Sequence, residues 1–344
     1  MTRSTRTLRF EAPETVSVES RELSEPNARE VCVETSVSAI SAGTELLVYR
    51  GELSAESTID ETLSAFEGSF SYPLSYGYAA VGRVVDCGSD LPESWHGRQV
   101  FAFNQHESAF LADVESIHPV PEELSAETAA LFPTAETAVN LVLDGNPRVG
   151  ERVVVYGAGV VGLLTTRLLS SFPLSELVVV DPIERRRRLA ADFGADRTVT
   201  PAAAADLSAS TAADEPAGVD LAFELSGEPT ALDDALDVVG YDGRIVVGSW
   251  YGDKSAAPNL GTEFHRERIS IESSQVSTID PALRGRWTTE RRADVAFEHL
   301  SSVPTDRLVT HRIPFEDAPS AYRLLDDPDS IEGAAPVQVL LTYG

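Results

Sequence analysis

A chain of 344 residues with 42% hydrophobic side chains is long enough for two domains, each with a core of its own. Against 27 lysines and arginines stand 55 acids, a formal net charge of −28, and Lys254 is the single lysine. So acidic a surface repels phosphate backbones and anionic lipid, which excludes nucleic acid and membranes as partners. The acid is spread along the chain rather than gathered in a tail, as expected of a protein built for molar salt, where the Debye length is only ~3 Å.

No apolar run is long enough to span a bilayer, and Met1 to Phe10 is basic and polar with no hydrophobic segment of a secretory signal. Cys32 and Cys87 are the only cysteines, each in a strand-like stretch. They read as buried free thiols of a cytoplasmic protein rather than a disulfide.

Residues 1 to about 120 read as short strands divided by glycine turns, a compact, partly open β-barrel. Val31 and Val33 alternate with their neighbours, and glycines punctuate at 43, 51, 68, 77, 82, 88 and 97. The acidic, serine-rich segment 54–71 reads as a loop over a cleft. From Ser125 the period changes. Residues 128–143 read as a helix that Pro133 breaks or starts. Strands and helices then alternate: a strand from Val153, a helix to Leu169, a strand at 177–180, a helix to Phe193, strands at 221–225 and 244–247 with a helix at 230–239 between them, and a last strand near Ile269. Such alternation specifies a doubly wound parallel sheet. Residues 291–300 read as a helix, and Val337, Val339 and Leu341 alternate as a strand that returns to the front half. The fold class is α/β.

The chain's most informative stretch is Tyr156-Gly157-Ala158-Gly159-Val160-Val161-Gly162, following Val153-Val154-Val155. Gly157 permits a tight turn out of a strand, Gly159 lets backbone approach a pyrophosphate, and Gly162 lets a helix pack closely on the strand. The helix N-terminus offers N–H groups and a positive dipole end to phosphate. Asp181 ends the next strand about 20 residues past the glycines, where an acid meets the adenine ribose. This constellation predicts a dinucleotide site. Asp181 favours NAD over NADP, although one of Arg185 to Arg188, Arg185 first, has the reach to meet a 2′-phosphate. Ser226-Gly227 and Gly248-Ser249-Trp250-Tyr251 follow later strands at the carboxyl edge, where ligands bind in open α/β sheets. Ser226 and Gly248 are therefore cofactor candidates, and Trp250 and Tyr251 are read as pocket walls or packing aromatics.

A β-rich front, a Rossmann middle and a short β return resemble the medium-chain dehydrogenase/reductase, zinc-type alcohol dehydrogenase-like family over nearly the full chain. The resemblance rests on Gly43-Thr44-Glu45-Leu46, Gly77-Tyr78-Ala79-Ala80-Val81-Gly82, Gly97-Arg98-Gln99-Val100-Phe101-Ala102, the glycine loop, Gly243-Arg244-Ile245-Val246-Val247-Gly248 and Pro314-Phe315-Glu316-Asp317-Ala318. Ser38 to Glu45 is most similar to the branch of bacteriochlorophyllide hydroxyethyl dehydrogenases and their archaeal relatives, and the composition resembles that of haloarchaeal proteins. The resemblance implies a GroES-like catalytic domain at 1–130, a Rossmann domain at 131–279 and a return to the catalytic domain at 280–344, with a homodimer as the default assembly.

The departures from that family carry the functional reading. Zinc members place Cys where Ser41 and Ala42 stand, His where Tyr78 stands, and a third ligand near Pro133 and Thr134. Zinc takes Cys, His or carboxylate, so these positions predict no zinc. His106-Glu107 reads as a surface or site hydrogen-bonding pair rather than a metal ligand. The resemblance then implies a zinc-independent oxidoreductase moving hydride between a nicotinamide cofactor and a small alcohol or carbonyl. Thr44 takes the family's proton-relay position and Tyr78 becomes the candidate general acid. Glu45 is expected either to hold the Tyr78 phenol or to pair with an arginine such as Arg50, and His106 to link the site to solvent. The alternative reading is a non-catalytic NAD(P)H-binding, redox-responsive protein.

Overall fold

The computed structural model describes residues 3–54, 69–209, 217–327 and 335–344. Most of the expected cleft loop, residues 55–68, therefore lies outside the described residues. The chain divides into two compact units, residues 1–133 with 300–344 and residues 134–299.

The first unit begins with β1 (Arg3–Ala12) and β2 (Thr15–Leu23), an antiparallel pair. It continues with β3 (Glu30–Ile40), β4 (Ala80–Cys87), β5 (Gln99–Ala102), β6 (Ala109–Asp113) and β7 (Ile117–Pro119). The helix Ala42–Arg50, which follows β3, ends at Gly51 in the left-handed conformation that glycine adopts without strain. The second unit holds β8 (Arg152–Tyr156), β9 (Glu176–Val180), β10 (Arg197–Val199), β11 (Val219–Glu224), β12 (Val239–Val247) and β13 (Ser270–Ser273). The chain then returns to the first unit as β14 (Val309–Pro314) and β15 (Gln338–Thr342).

In the first unit β15 pairs antiparallel with β3, so the C-terminal segment closes onto the front half as its alternation predicted. The sheet runs β14-β15-β3-β4-β5-β7, and β6 also pairs with β3. Leu8, Phe10, Ile40 and Val339 meet the helix Ala318–Asp326 in one core. Ala318, Ala321, Tyr322 and Leu325 of that helix are buried at helical spacing, which turns Tyr322 inward. Cys32 is buried and Cys87 half-buried, both free. The expected burial of Cys87 fails because it ends β4, where the strand runs out into a turn.

The second unit is a parallel sheet of order β10-β9-β8-β11-β12-β13. Its central strand carries Val153, Val154 and Val155, all buried; an apolar run without alternation fits a strand covered on both faces. The connecting helices are Val160–Leu169, Glu184–Asp192 and Thr230–Val238. The order reverses direction at β8, the switch point at whose carboxyl edge ligands bind. This unit extends to 299 rather than 279. Arg292, on the helix Thr289–Ser301, donates to Glu136 at 3.1 Å and to Asn140 at 2.7 Å, and these buried bonds tie its helix into the second unit. No described helix is long and apolar enough to cross a membrane.

Candidate functional site

Two places carry the chemistry, one in each unit. In the first unit, Ser41 precedes the helix Ala42–Arg50. Glu45, one turn in, reaches back so that its Oε1 accepts the Ser41 backbone N–H at 2.8 Å. That bond satisfies a helix-end donor in the manner of half a capping box. It also fixes Ser41 and Thr44 on one turn. The Tyr78 hydroxyl donates to Ser41 Oγ and lies 3.4 Å from Thr44 Oγ1. The three hydroxyls form one half-buried cluster. Burial pushes the Tyr78 phenol above its ordinary pKa, with the bonds to Ser41 and Thr44 opposing that shift.

Behind this cluster lies a polar network of buried Glu45, His106, Ser38 and Tyr322 that ends at the half-buried Tyr343. Glu45 Oε2 accepts from the Tyr322 hydroxyl and lies 3.0 Å from His106 Nε2. His106 Nδ1 meets Ser38 Oγ at 2.7 Å, and Ser38 Oγ meets the Tyr343 hydroxyl at 2.8 Å. One arrangement satisfies every member. Tyr343 donates to Ser38, Ser38 to Nδ1 of His106, and Nε2–H of His106 to Glu45. Burial, with the Glu45 charge beside it, raises the Tyr322 phenol well above its ordinary range; burial raises Tyr343. Gly77, at φ +119°, makes room for the imidazole, because a Cβ there would sit 2.5 Å from His106 Cδ2.

Three expectations are corrected by this network. Glu45 holds His106 and Tyr322 rather than the Tyr78 phenol, because its side chain turns inward from the helix while Tyr78 faces Ser41. Arg50 is occupied by Asp326 at 2.6 Å. His106 is fully buried, so it makes no link to solvent, and Glu107 is buried too. The adjacent side chains point opposite ways: Glu107 takes Arg21 at 2.7 Å, so the two are neither a surface pair nor a shared site.

The family's zinc does not fit here. The positions of its ligands hold Ser41, Ala42, Tyr78, Pro133 and Thr134, which offer hydroxyls or nothing where zinc takes thiolate, imidazole or carboxylate. Two of those hydroxyls are already bonded to each other. Among the described residues no group of three or more His, Cys, Asp or Glu gathers around a point.

In the second unit the glycine loop leaves β8 and enters the helix Val160–Leu169. The three glycines differ in what surrounds them. A Cβ on Gly162 would lie 1.9 Å from Gly157 O, and one on Gly157, at φ +95°, would lie 2.6 Å from Leu225 O. Both are packing glycines. A Cβ on Gly159 would meet nothing within 4 Å, and no side chain caps the helix that Gly159 opens. The loop thus keeps an open approach to uncapped N–H groups at a positive helix end, which fits a pyrophosphate. Ala158 is buried, and Val160 and Val161 are half-buried in the first turn.

Asp181 follows β9 and stands beside the loop. Its Oδ2 accepts the Ala158 N–H and its Oδ1 the Ile183 N–H, each at 2.8 Å. Arg187 reaches the strand end, donating to the carbonyls of Asp181 and Pro182 at 2.7 Å. Gly248 is a packing position, since a Cβ there would lie 2.6 Å from Leu225 Cδ2. Ser226 is bonded through N–H and hydroxyl to Glu224. Glu224 escaped the sequence reading, although an acid closing an apolar strand before Ser-Gly was the available signal. Ser41, Ser38, Tyr322 and Tyr343 were also missed as members of the first cluster, and nothing local marks them. Tyr251 turns its hydroxyl onto Glu224 at 2.6 Å, while Trp250 is exposed.

Residues 160–289 match the zinc-binding dehydrogenase family. D-guloside 3-dehydrogenase of Escherichia coli (strain K12) is 26% identical over 86% of this chain and 88% of its own length. L-threonine 3-dehydrogenase of Stenotrophomonas maltophilia (strain K279a) is 25% identical over 92% and 95%. Along most of its length the chain is thus similar to dehydrogenases, and its middle part to the zinc-binding dehydrogenases. Solved dehydrogenases have the same fold. 2R,3R-butanediol dehydrogenase from Bacillus subtilis superposes with a TM-score of 0.77 at 19% identity, covering 99% of this chain and 100% of that one. An alcohol dehydrogenase of E. coli CFT073, complexed with NADH, gives 0.74 at 18% identity, with 99% of each chain covered. The GroES-like and Rossmann architecture of these dehydrogenases is therefore that of this protein, with the glycine loop in the Rossmann part.

Proposed function

We propose that this chain is a nicotinamide-dependent dehydrogenase that works without zinc, interconverting a small alcohol and its carbonyl. The glycine loop, with Asp181 on its N–H, supports a dinucleotide in the second unit; the acid at the ribose position supports NAD ahead of NADP. When bound, the nicotinamide supplies or takes the hydride. What remains for the protein is the proton. As hydride reaches the carbonyl carbon, charge grows on oxygen, and a positioned hydroxyl donates a hydrogen bond and then the proton. In the oxidative direction the Tyr78 oxygen takes the alcohol's proton as it passes its own along the Ser41 and Thr44 hydroxyls to solvent.

The observation that carries this reading is the Tyr78 phenol, set on Ser41 Oγ and beside Thr44 Oγ1 where zinc members hold a metal ligand. A phenol that burial keeps protonated is a donor over the whole neutral range. The test is NADH oxidation with a panel of carbonyls at molar potassium chloride, for wild type and Tyr78→Phe. The expected outcome is a loss of about 100-fold in kcat with NADH affinity intact. Activity of the variant within a few-fold of wild type would make the phenol packing. Tight NADH binding with no turnover of any carbonyl by the wild type would favour a non-catalytic, redox-responsive protein.

A further inference from the structure

Two buried carboxylates flank the glycine loop, and only Asp181 belongs to the dinucleotide fingerprint. In the sheet, β8 lies between β9 and β11. Asp181 follows β9, and Glu224 is the last residue of β11. Glu224 is fully buried. Its Oε1 accepts the Ser226 N–H at 2.8 Å and the Ser226 hydroxyl at 2.5 Å, and its Oε2 accepts the Tyr251 hydroxyl at 2.6 Å. Its backbone oxygen takes the Gly248 N–H at 3.0 Å. Ser249 Oγ in turn accepts the Gly227 N–H at 2.9 Å. One side chain therefore stitches together the segments that follow β11 and β12.

That stitching reaches the phosphate cradle. The wall against which Gly157 turns is Leu225 O and Ser226 Cα, 2.6 and 2.8 Å from where a Cβ on Gly157 would be. Fixing Ser226 fixes that wall. On the other side, Asp181 fixes the loop by accepting the Ala158 N–H at 2.8 Å. We propose that Glu224 is a positioning residue of the cofactor site, holding the far wall of the glycine loop as Asp181 holds the near one.

The charge of Glu224 argues for position rather than recognition. Among the described residues it makes no ion pair, so its burial rests on the hydrogen bonds it accepts. A carboxylate beside a pyrophosphate repels it, so electrostatics alone predicts that neutralising Glu224 tightens binding. Positioning predicts the opposite. In Glu224→Gln the new amide N–H₂ faces donors on either side, Ser226 or Tyr251, so one acceptor is lost and the wall loosens.

The proposal rests on the dinucleotide reading above, and one titration separates the two. NADH is titrated by fluorescence into wild type, Glu224→Gln, Tyr251→Phe and the double variant, at a temperature where melts show each to be folded. Glu224→Gln is expected to weaken NADH roughly tenfold or more, and Tyr251→Phe about fivefold, since it removes one charge-assisted bond. The double variant should be no weaker than Glu224→Gln. An unchanged or tighter Kd in both single variants overturns the proposal, including the case in which only the melting temperature falls. A wild type that binds neither NADH nor NADPH overturns the dinucleotide reading, and this proposal with it.

Discussion

The glycine cradle of the second unit and the hydroxyl cluster of the first are built on opposite plans. The cradle is a short continuous segment, Gly157 to Gly162, bonded on one side by the Asp181 carboxylate and backed on the other by Leu225 and Ser226. The cluster gathers side chains scattered through the sequence and seats them on a largely buried network. On the proposed function, backbone would do the binding in the cradle, where side chains are mostly in the way. In the cluster, side chains would supply the chemistry and backbone only carries them. Variants should therefore fail differently in the two places, and the sharpest contrast lies within the cradle.

Gly159 and Gly162 separate binding from folding. Gly159→Val puts a side chain into open space at an ordinary negative φ of −71°, so the fold stands and the phosphate approach is blocked. NADH affinity should fall at least about 100-fold with the melting temperature unchanged, since phosphate and helix end can no longer meet. Gly162→Val drives carbon into Gly157 O, and the expected outcome is loss of folded protein in expression and melting assays. If both variants bind NADH normally, the loop is only a turn.

The cluster is broken by stability rather than by blockage. His106→Ala takes one hydrogen-bond donor from the buried Glu45 carboxylate, which keeps Ser41 N–H and Tyr322, at a cost of about 1–3 kcal/mol. Denaturant unfolding is expected to show that loss, while NADH affinity stays within a few-fold of wild type. A loss below about 1 kcal/mol would mean that solvent reaches Glu45.

These two plans explain how far the sequence could be read. The cradle was legible because its parts are local: strand, glycines, helix and the acid of the next strand follow one another at spacings set by a βα unit. The parallel order and the returning C-terminal strand followed from hydrophobic period. The cluster was half legible. Thr44, Glu45 and Tyr78 were marked by resemblance, but their partners were not, because Glu45 and His106 lie 61 positions apart and Glu45 and Tyr322 277. No local pattern encodes such a meeting. Glu45 was assigned to the wrong phenol because two tyrosines compete for that neighbourhood, and the inward face of the helix Ala318–Asp326 gave the bond to Tyr322. Glu224 was overlooked for another reason: an acid after an apolar strand reads as the start of a loop, and only the fold shows it buried.

A pH-dependent effect comes from His299, a second-unit residue outside both sites. Burial pushes its imidazole down to about 4, Arg167 adds to the shift, and a bond to the Leu164 backbone opposes it. In the unfolded chain it titrates near 6.5. Between these values the unfolded chain holds a proton that the fold does not, so stability is lost as pH falls from about 6.5 to about 4. The loss is on the order of 3 kcal/mol at the acid end. Unfolding free energies at neutral and acid pH, compared with His299→Gln, isolate this term from the many carboxylates common to both proteins. Equal pH slopes would contradict the assignment.

The measurement that tests the account most directly is turnover by protein whose metal content is known. Wild type is treated with chelator, analysed for zinc, and assayed for NADH-dependent carbonyl reduction at molar potassium chloride. The account predicts that activity persists with far less than one zinc per chain and does not rise when zinc is returned. Activity that disappears with the metal and returns in proportion to added zinc would contradict it.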